Sequence, residues 1–397
     1  MAEEAAQKPG STRALVALLA FVLGFATVPH RVMERDAARW FDGDPAKADL
    51  LAEGVARWTA SPGELAPATF ATGSSRFDGE WLFATFMMSA MGFGQVAAER
   101  TGAARDESLA RMERCLDALF EPGVRVFEDR AWGDDALASL DAAPGSAEDR
   151  GHVAYLGYAG LALSLHRTLR PSSRFVAREE AIARALERRI EASPTGFVET
   201  YPGEVYPVDN TAALAALALH ARATREPPSN ALGRGLAAVS RSGVDPATGL
   251  LVQAVTVDDA APRDVPRASG TALAAYFLSF ADEATSRALF RALEEHQFRT
   301  VLGFGGMMEY PPGRRSARGD VDSGPVFLGF GVSASGFALG ASRVHGDRET
   351  FTALYATAQL FGAPLEEDGT LTYATGGPLG DAILFAMLTA PRARRPS

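Results

Sequence analysis

The sequence predicts an all-α protein, an (α/α)6 toroid of six inner and six outer helices, on two observations. The first is a repeated plan: an amphipathic helix, a loop rich in Gly, Pro and aromatic residues, then a helix of small apolar residues. The second is spacing, because from Gly151 onward the apolar helices begin about every 55–60 residues, which is typical of repeat architectures. We expect these helices to begin near Glu80, Gly151, Asp209, Ser269, Ser323 and Pro378.

The composition of the two helix types assigns them to two layers. Helices made of Ala, Gly, Ser and Leu, with almost no charge, suit a layer that is buried on every side. The helices between them, such as the one in FVAREEAIARALERRIEA, carry charge on one face and predict an outer ring. The last apolar helix has no successor, so we expect it to pair with the first outer helix, residues 46–58, and close the ring. Every outer-to-inner loop then lies on one rim, around the mouth of a central funnel.

Length and composition restrict the class of protein. The chain has 397 residues, of which 47% are hydrophobic, so one large core is available. The net charge of −10 comes from interspersed acidic and basic residues, which argues against a nucleic-acid partner. Cys115 is the only cysteine, so an intramolecular disulfide and a thiolate metal cluster are excluded. We expect Cys115 to be a buried residue of an outer helix.

The N-terminal segment differs from the rest of the chain. Lys8 and Arg13 precede an uncharged run at residues 14–29, and Arg31 follows it. The run is somewhat short for a membrane-spanning helix and long for a signal-peptide core. We expect residues 1–30 to form an uncleaved anchor in the inner membrane and residues 31–397 to form one toroid domain in the periplasm. A cleaved signal and a cytosolic core helix remain alternatives.

Four predicted rim loops carry most of the acidic and aromatic residues. Glu199 and Glu309 each follow an apolar stretch and precede an aromatic residue and a proline, so we expect half-buried carboxylates there. Asp209 and the Asp320/Asp322 pair lie just before apolar helices, where helix capping or turn formation is the alternative role. Carboxylates in unlike environments can separate their pKa values and act as acid and base. We therefore predict Glu199, Asp209, Glu309 and Asp322 as catalytic candidates.

The same loops offer groups that could contact a small-molecule substrate. The predicted substrate-binding residues are the rim aromatics and one arginine, namely Trp132, Tyr155, Tyr201, Tyr206, Arg267, Tyr310 and Tyr373. His152 is the only histidine expected near the funnel, and the histidines and carboxylates are not clustered as a metal site requires. The sequence therefore predicts neither a metal nor a cofactor. It does not determine the oligomeric state and leaves a homo-oligomer open.

A set of short motifs across residues 131–347 resembles the bacterial linalool dehydratase/isomerase-type α/α toroids. The matching pieces are Trp132-Gly133-Asp134, the Tyr-x-Gly step at Tyr155–Gly157, Gly196-Phe197-Val198 with Asn210, and the segment from Asp320/Asp322 to Ala341-Ser342-Arg343 and Gly346-Asp347. The resemblance implies the same toroid and, more weakly, a periplasmic location.

The catalytic positions of that family are not kept. The place of the family's histidine holds Tyr158, and the places of its two cysteines fall at Glu199 and Asp209, while a family tyrosine falls at Gly270. Carboxylates in place of thiols change the proton chemistry, because they are ionised at neutral pH unless burial raises their pKa. The resemblance therefore implies a shared scaffold with different chemistry, in which Tyr158 orients or stabilises.

Three functions fit these residues. The first hypothesis is an acid–base lyase or isomerase acting on a small, partly apolar alcohol or terpenoid-like molecule. The second is a carbohydrate-active toroid, a glycosidase or polysaccharide lyase, because paired carboxylates and rim tyrosines suit that chemistry too. The third is a non-catalytic binding or scaffold protein. A closed apolar pocket would favour the first function, a long open cleft with aromatics the second, and carboxylates paired with rim arginines the third.

Overall fold

The inner layer of the protein is a ring of helices. The computed structural model describes residues 16, 24, 31–60, 65–146, 148–149, 151–311, 324 and 326–392. Within that part of the chain the inner helices are α3 (Ser75–Ala98), α6 (Val153–Leu169), α8 (Pro207–Thr224), α10 (Ala268–Leu278), α12 (Val332–His345) and α14 (Gly377–Leu388). Each contacts the next in this order, and α14 contacts α3, so the ring is closed. The predicted α/α toroid is confirmed.

A second layer of amphipathic helices surrounds the ring. The outer helices are α2 (Pro45–Thr59), α4 (Gly102–Leu119), α7 (Val176–Ala192), α9 (Asn230–Ala238), α11 (Glu283–His296) and α13 (Arg348–Gly362). In α11 the apolar residues Leu289, Phe290 and Leu293 are buried, while the charged residues lie on the opposite face. Asp282 begins this helix as its N-cap and accepts a hydrogen bond from the Thr285 amide at 2.8 Å.

A further helix, α1 (31–42), lies on the outside of the toroid. Its Phe41 ring contacts Phe351 with the ring centroids 5.2 Å apart. Asp36, one and a half turns earlier, accepts a hydrogen bond from the Tyr355 hydroxyl, one turn later in α13. Helix α1 therefore runs antiparallel to α13.

The rim loops contain more regular structure than the sequence predicts. Glu128, Asp129 and Trp132 lie on a helix, α5 (Pro122–Trp132), where a loop was expected, because Pro122 begins the helix and Gly133 ends it at a positive φ of 77°. Four short strands, β1 (Phe298–Val301), β2 (Phe304–Met308), β3 (Val326–Phe327) and β4 (Phe330–Gly331), form an antiparallel sheet in the order β1-β2-β4-β3. Strands β5 (Pro364–Glu367) and β6 (Thr370–Tyr373) form a hairpin.

These strands correct the prediction of a purely helical chain. They also move the start of α12 from Ser323 to Val332, because β3 and β4 occupy the sequence between. In the opposite direction, α3 begins at Ser75 and not near Glu80. The four-stranded sheet contacts α11, α12 and α13, so it covers one sector of the rim.

The ring closes where the end of the chain meets its beginning. Helix α14 contacts α2 and α3, as the unpaired last helix predicts. The Trp58 indole N–H of α2 donates to Asp381 Oδ2 of α14 at 2.8 Å, and the Tyr373 amide donates to Asp381 Oδ1 at 2.7 Å. Burial raises the pKa of Asp381 to about 6. One buried carboxyl group therefore joins the last inner helix to the first outer helix and to β6.

Among the described residues, α3 is the one helix with the length and hydropathy of a membrane span. Most of its apolar window is buried within the toroid, as expected for an inner helix. The run at residues 14–29, which carries the anchor prediction, lies outside the described residues apart from Val16 and Gly24. The anchor therefore stays a prediction.

Gly92→Ala should destabilise the seam between α3 and α14. A Cβ atom at Gly92 would lie 2.3 Å from Phe385 Cδ1, and overpacking of this kind costs about 1–3 kcal/mol. Urea unfolding should show that loss. The matched control is Gly233→Ala on α9, where a Cβ atom meets nothing within 4 Å, and this change should stabilise the protein by about 0.5–1 kcal/mol. Equal behaviour of the two variants would contradict close packing at the seam.

Trp58→Phe should destabilise the closed ring in a pH-dependent way. The change removes a donor to the buried Asp381 and should cost about 1–3 kcal/mol. Without this donor the pKa of Asp381 rises further, so more stability is lost as the pH rises through about 6, where the carboxyl group ionises in the native protein. Urea unfolding at pH 5 and pH 8 should therefore give the larger difference at pH 8. A difference that is larger at pH 5 would disprove this role of Trp58.

Candidate active site at the funnel mouth

The long outer-to-inner connections all end at inner-helix N-termini, so the groups they carry meet on one rim. At this rim Glu80 of α3, Tyr158 of α6 and Asp209 of α8 are half-buried, whereas the inner helices are mostly buried beyond their first turns. Residues far apart in sequence thus surround the funnel mouth.

Asp209 is bound by two hydroxyl groups. The Tyr158 hydroxyl donates to Asp209 Oδ1 at 2.9 Å, and the Thr200 hydroxyl donates to Oδ2 at 2.9 Å. Thr200 also accepts a hydrogen bond from the Tyr206 amide, at 3.1 Å, which holds the loop before α8. Hydrogen bonds donated by two hydroxyl groups stabilise the charged form of a carboxylate. The structure therefore brings together Tyr158 and Asp209, two of the predicted catalytic residues.

A second carboxyl group lies beside an arginine and a tyrosine. Tyr201 donates to Glu80 Oε1 at 2.5 Å, and Arg76, one turn earlier on α3, donates to the same oxygen at 3.2 Å. The Arg76 guanidinium lies over the Tyr201 ring, 3.5 Å from its centroid. Burial is the largest cause of a raised pKa of Glu80, and the hydrogen bond from Tyr201 and the charge of Arg76 oppose it. Glu80 is thus biased towards the protonated form.

A third carboxyl group is buried with a histidine. Glu128 Oε1 lies 3.0 Å from Nδ1 of His152, and Asp134 Oδ1 lies 3.2 Å from Nε2 of the same ring. The Trp132 ring stacks on His152 with the centroids 4.4 Å apart. His152 has a left-handed backbone, φ 55°, at the N-cap of α6. Such a conformation is uncommon for a non-glycine residue and is retained only where the surroundings require it.

Glu80, Glu128 and Asp209 form what we call the carboxylate cluster. Burial raises the pKa of Glu128 well above its ordinary value, and the charges of Asp129, Glu80 and Asp209 raise it further. Glu128 of α5 is therefore repelled by Glu80 of α3 and by Asp209 of α8. Gathering like charges in a partly desolvated site lowers stability, and such sites are enriched in functional residues.

An open groove lies next to Glu80. It has a volume of about 330 Å³, within the range of small-molecule sites, and its lining combines apolar and charged groups. The lining residues are Ser75, Arg76, Phe127, Arg130, Ala131, Tyr201, Pro202 and Glu204. Glu204 accepts a hydrogen bond from the Tyr206 hydroxyl at 3.2 Å. An open groove with a tyrosine and two arginines differs from the closed apolar pocket that the lyase hypothesis requires.

Two other predicted catalytic residues, Glu199 and Glu309, make contacts of their own. Glu199 accepts a hydrogen bond from the Gly203 amide at 2.7 Å, within its own loop. Glu309 is fully buried, accepts a hydrogen bond from the Ser269 hydroxyl at 2.6 Å, and lies so close to Gly331 that a Cβ there would be 2.3 Å from its Oε2. Glu309 thus connects α10 to β4. Asp322 lies outside the described residues.

The predicted substrate-binding residues also fall into separate places. Tyr201 lines the groove, Tyr206 borders it through Glu204, and Trp132 is buried against His152. Arg267 pairs with Asp264 at 3.0 Å and lies 5.5 Å from the Tyr310 ring centroid, on the α10 side of the rim. Like Tyr201, the tyrosines Tyr155 and Tyr373 are buried, with their hydroxyls bonded to protein atoms: Tyr155 to the Leu119 carbonyl at 2.9 Å, and Tyr373 to Gln359 at 2.8 Å.

Sequence reasoning expected His152 near the funnel but did not assign Glu80, Arg76 or Glu128 to the site. Glu80 had been identified only as the start of a helix, and Glu128 only as one acidic residue in a loop. The one available signal was charge within apolar surroundings, such as Glu80 next to Trp81-Leu82-Phe83. Within the described residues, no group of three or more His, Cys, Asp and Glu side chains is placed to hold a metal ion.

Comparison with solved structures identifies the scaffold. Structures of two inactive variants of the α-1,6-mannanase GH76A of Salegentibacter sp. HEL1_6 each match with a TM-score of 0.53 and 11% identity. The complex with α-1,6-mannotriose covers 88% of this chain and 98% of that one, and the complex with α-1,6-mannotetrose covers 88% and 97%. The fold is an α/α toroid. A GH76 α-mannanase of Bacteroides thetaiotaomicron matches with a TM-score of 0.48, 10% identity and coverage of 77% and 84%. No protein-family model and no curated protein matches the sequence.

The resemblance to linalool dehydratase/isomerase-type toroids is therefore wrong, because the structural neighbours are α-1,6-mannanases. Packing explains the motifs that suggested it. A Cβ atom at Gly157 would lie 3.2 Å from the backbone of α8, so the Tyr-x-Gly step reflects close contact between α6 and α8. Asn210 bonds both backbone groups of Val198, at 2.8 and 3.0 Å, and so closes the loop before α8. Close helix packing and loop closure are requirements of the architecture, so the residues that meet them do not indicate the chemistry of one family.

Glu128→Gln should make the protein less sensitive to rising pH. Folding raises the pKa of Glu128, so the native state binds more protons than the unfolded state, and stability falls as the pH rises above the unfolded pKa. The variant lacks this loss. Urea unfolding between pH 4.5 and 7.5 should show the variant gaining more than about 1 kcal/mol relative to the wild type. Glu226→Gln, an exposed site on the opposite face, should follow the wild type. A constant difference across this range would contradict the burial of an ionisable Glu128.

Proposed function

We propose that the protein is a glycoside hydrolase that cleaves an oligosaccharide bound in the groove beside Arg76 and Tyr201. The observation that carries this proposal is the carboxylate cluster at the funnel mouth: an acid-biased Glu80, whose partners Arg76 and Tyr201 line the open groove, and an Asp209 held by hydroxyl groups. Glycosidases use such a pair, with one carboxyl group as proton donor and the other as base or nucleophile. The mannanase scaffold of the neighbours supports the same class.

In this mechanism the two carboxyl groups have opposite tasks. Glu80 donates its proton to the glycosidic oxygen as the bond from that oxygen to the anomeric carbon breaks. A water molecule attacks the anomeric carbon, and its proton passes to Asp209, whose carboxylate is oriented by Tyr158 and Thr200. Arg76 and Tyr201 hold Glu80 in place and offer the sugar a charged group and a ring. Because its pKa is raised, Glu80 keeps its proton at pH values above 4.5, the ordinary pKa of a glutamate.

The neighbouring mannanase was inactivated by changing two adjacent aspartates. This chain has an adjacent pair, Asp134 and Asp135, on the same rim. Asp135 is neutralised by Arg125 at 2.5 Å, and Asp134 binds His152. We therefore assign Asp134 to the support of His152, which contacts Glu128, and Asp135 to its ion pair with Arg125, and neither to proton transfer.

A saccharide-binding protein without turnover is the second candidate. Several outer-rim carboxylates pair with arginines, as a binding protein predicts: Glu204 with Arg76 at 3.5 Å and Asp264 with Arg267 at 3.0 Å. The acid-biased Glu80 favours the enzyme, because a carboxyl group that burial keeps protonated can act as the proton donor of a glycosidase.

Glu80→Gln should abolish turnover without unfolding the protein. The full chain would be incubated with oligosaccharides, beginning with α-1,6-mannotriose and α-1,6-mannotetraose and extending to other linkages, and products identified by mass spectrometry. Loss of the proton donor should lower kcat by about 10²–10⁴-fold, and Asp209→Asn should have a similar effect. Wild-type turnover should also decline as the pH rises through the raised pKa of Glu80.

Glu226→Gln is the control and should keep full activity. Thermal melting of each variant separates loss of chemistry from loss of fold. Binding of a saccharide without products would establish the second candidate and reject the glycosidase. Full activity of Glu80→Gln would remove Glu80 from the mechanism.

A further inference from the structure

An apolar patch is exposed at one edge of the toroid, on α1, α13 and β5. Val32 is 64% exposed, Leu360 50%, Phe361 61% and Leu365 48%. Large apolar side chains that are exposed together mark sites of contact with a protein or a membrane. We call these four residues the edge patch.

The contacts between α1 and α13 place Val32 with the other members of the patch. Asp42 pairs with Arg348 in the first turn of α13, Phe41 meets Phe351, and Asp36 binds Tyr355. From the Phe41–Phe351 contact to the Asp36–Tyr355 contact, the chain goes back five residues along α1 and forward four residues along α13. Continuing this pairing by about one and a half turns brings residue 31 of α1 level with the last turn of α13, where Leu360 and Phe361 lie.

The patch is also on the rim side of the toroid. Helix α13 begins after the short turn that follows α12, on the face opposite the rim, and ends at the connection to α14, which is an outer-to-inner connection. Its last turn and β5 are therefore at the same level as the funnel mouth.

The apolar N-terminal run at residues 14–29 leads directly into the start of α1, next to the edge patch. The run ends at Pro29, and α1 begins at residue 31, so at most about 7 Å of chain separates them. If the run is held in a bilayer, no linker is left to move α1 away from the bilayer surface. The charges near the patch are mixed, with the exposed Arg31 and Arg35 on α1 and the exposed Glu366 and Glu367 on β5.

We propose that the edge patch lies in the interfacial region of a lipid bilayer. Apolar side chains at the surface gain free energy there by leaving water, at roughly 25 cal/mol per Å² of apolar area. The mixed charges do not favour anionic lipid, so the patch fits a zwitterionic headgroup region. The rim side of the toroid then faces the membrane, and the funnel mouth opens close to its surface.

A single fluorescent label tests this arrangement. Cys115 is fully buried and burial raises its pKa to about 12, so it does not react with a thiol reagent at neutral pH. In the full chain, Phe361→Cys would be labelled with an environment-sensitive dye and reconstituted into phosphatidylcholine vesicles with and without brominated acyl chains. Glu226→Cys, exposed on the opposite face, is the matched control.

The label at position 361 should show blue-shifted emission and roughly twofold or greater quenching by the brominated lipid, whereas the label at 226 should show neither. Equal behaviour of the two labels, or protein that does not associate with the vesicles, would overturn the proposal. A blue shift at 361 without quenching by brominated lipid would also overturn it, since protein would then cover the patch. A second copy of the chain or its own N-terminal run could provide that cover.

Discussion

Closure of the inner ring is the constraint on which the rest of the structure depends. Six helices of small residues can bury one another only if the last meets the first, and this happens where α14 contacts α3 and α2. Helices α3 and α14 approach so closely at this seam that a Cβ atom at position 92 would have no space beside Phe385. Asp381 then joins three elements by hydrogen bonds to Trp58 and Tyr373. An open ring would leave the apolar faces of α3 and α14 in water, a cost of several kcal/mol at about 25 cal/mol per Å².

Closure has an electrostatic consequence at the rim. Since every outer-to-inner connection ends on the same side, the first turns of the inner helices bring their polar residues into one partly desolvated space. Glu80 and Glu128 are biased towards protonation there by burial, and Asp209 is stabilised by two hydroxyl donors. Unlike environments for neighbouring carboxyl groups are what acid–base chemistry requires. The architecture that stabilises the fold therefore also produces the condition for catalysis, at some cost in stability.

The candidate site was only partly predictable. Asp209 was predicted because it lies at the start of an apolar helix, and Tyr158 because it stands at the place of a family histidine. The toroid brings the two side chains together. Glu80 and Glu128 were missed because α3 begins a turn earlier than expected and α5 is a helix where a loop was expected. Both shifts change which residues reach the funnel mouth. Tyr155 and Gly157, which resembled a family motif, serve the packing of α6 against its neighbours.

By itself the sequence determined the architecture, because the composition and the spacing of the helices act locally. Uncharged helices of small residues must be buried, and amphipathic helices must cover them. The regular spacing of these helix pairs along the chain gives a ring. Only the tertiary structure decided which carboxyl groups share an environment, because Glu80, Glu128 and Asp209 lie on three elements and their mutual repulsion depends on distances across the funnel. The same holds for the edge patch. Val32 and Phe361 are far apart in sequence, and only the antiparallel packing of α1 on α13 brings them to one end of the toroid.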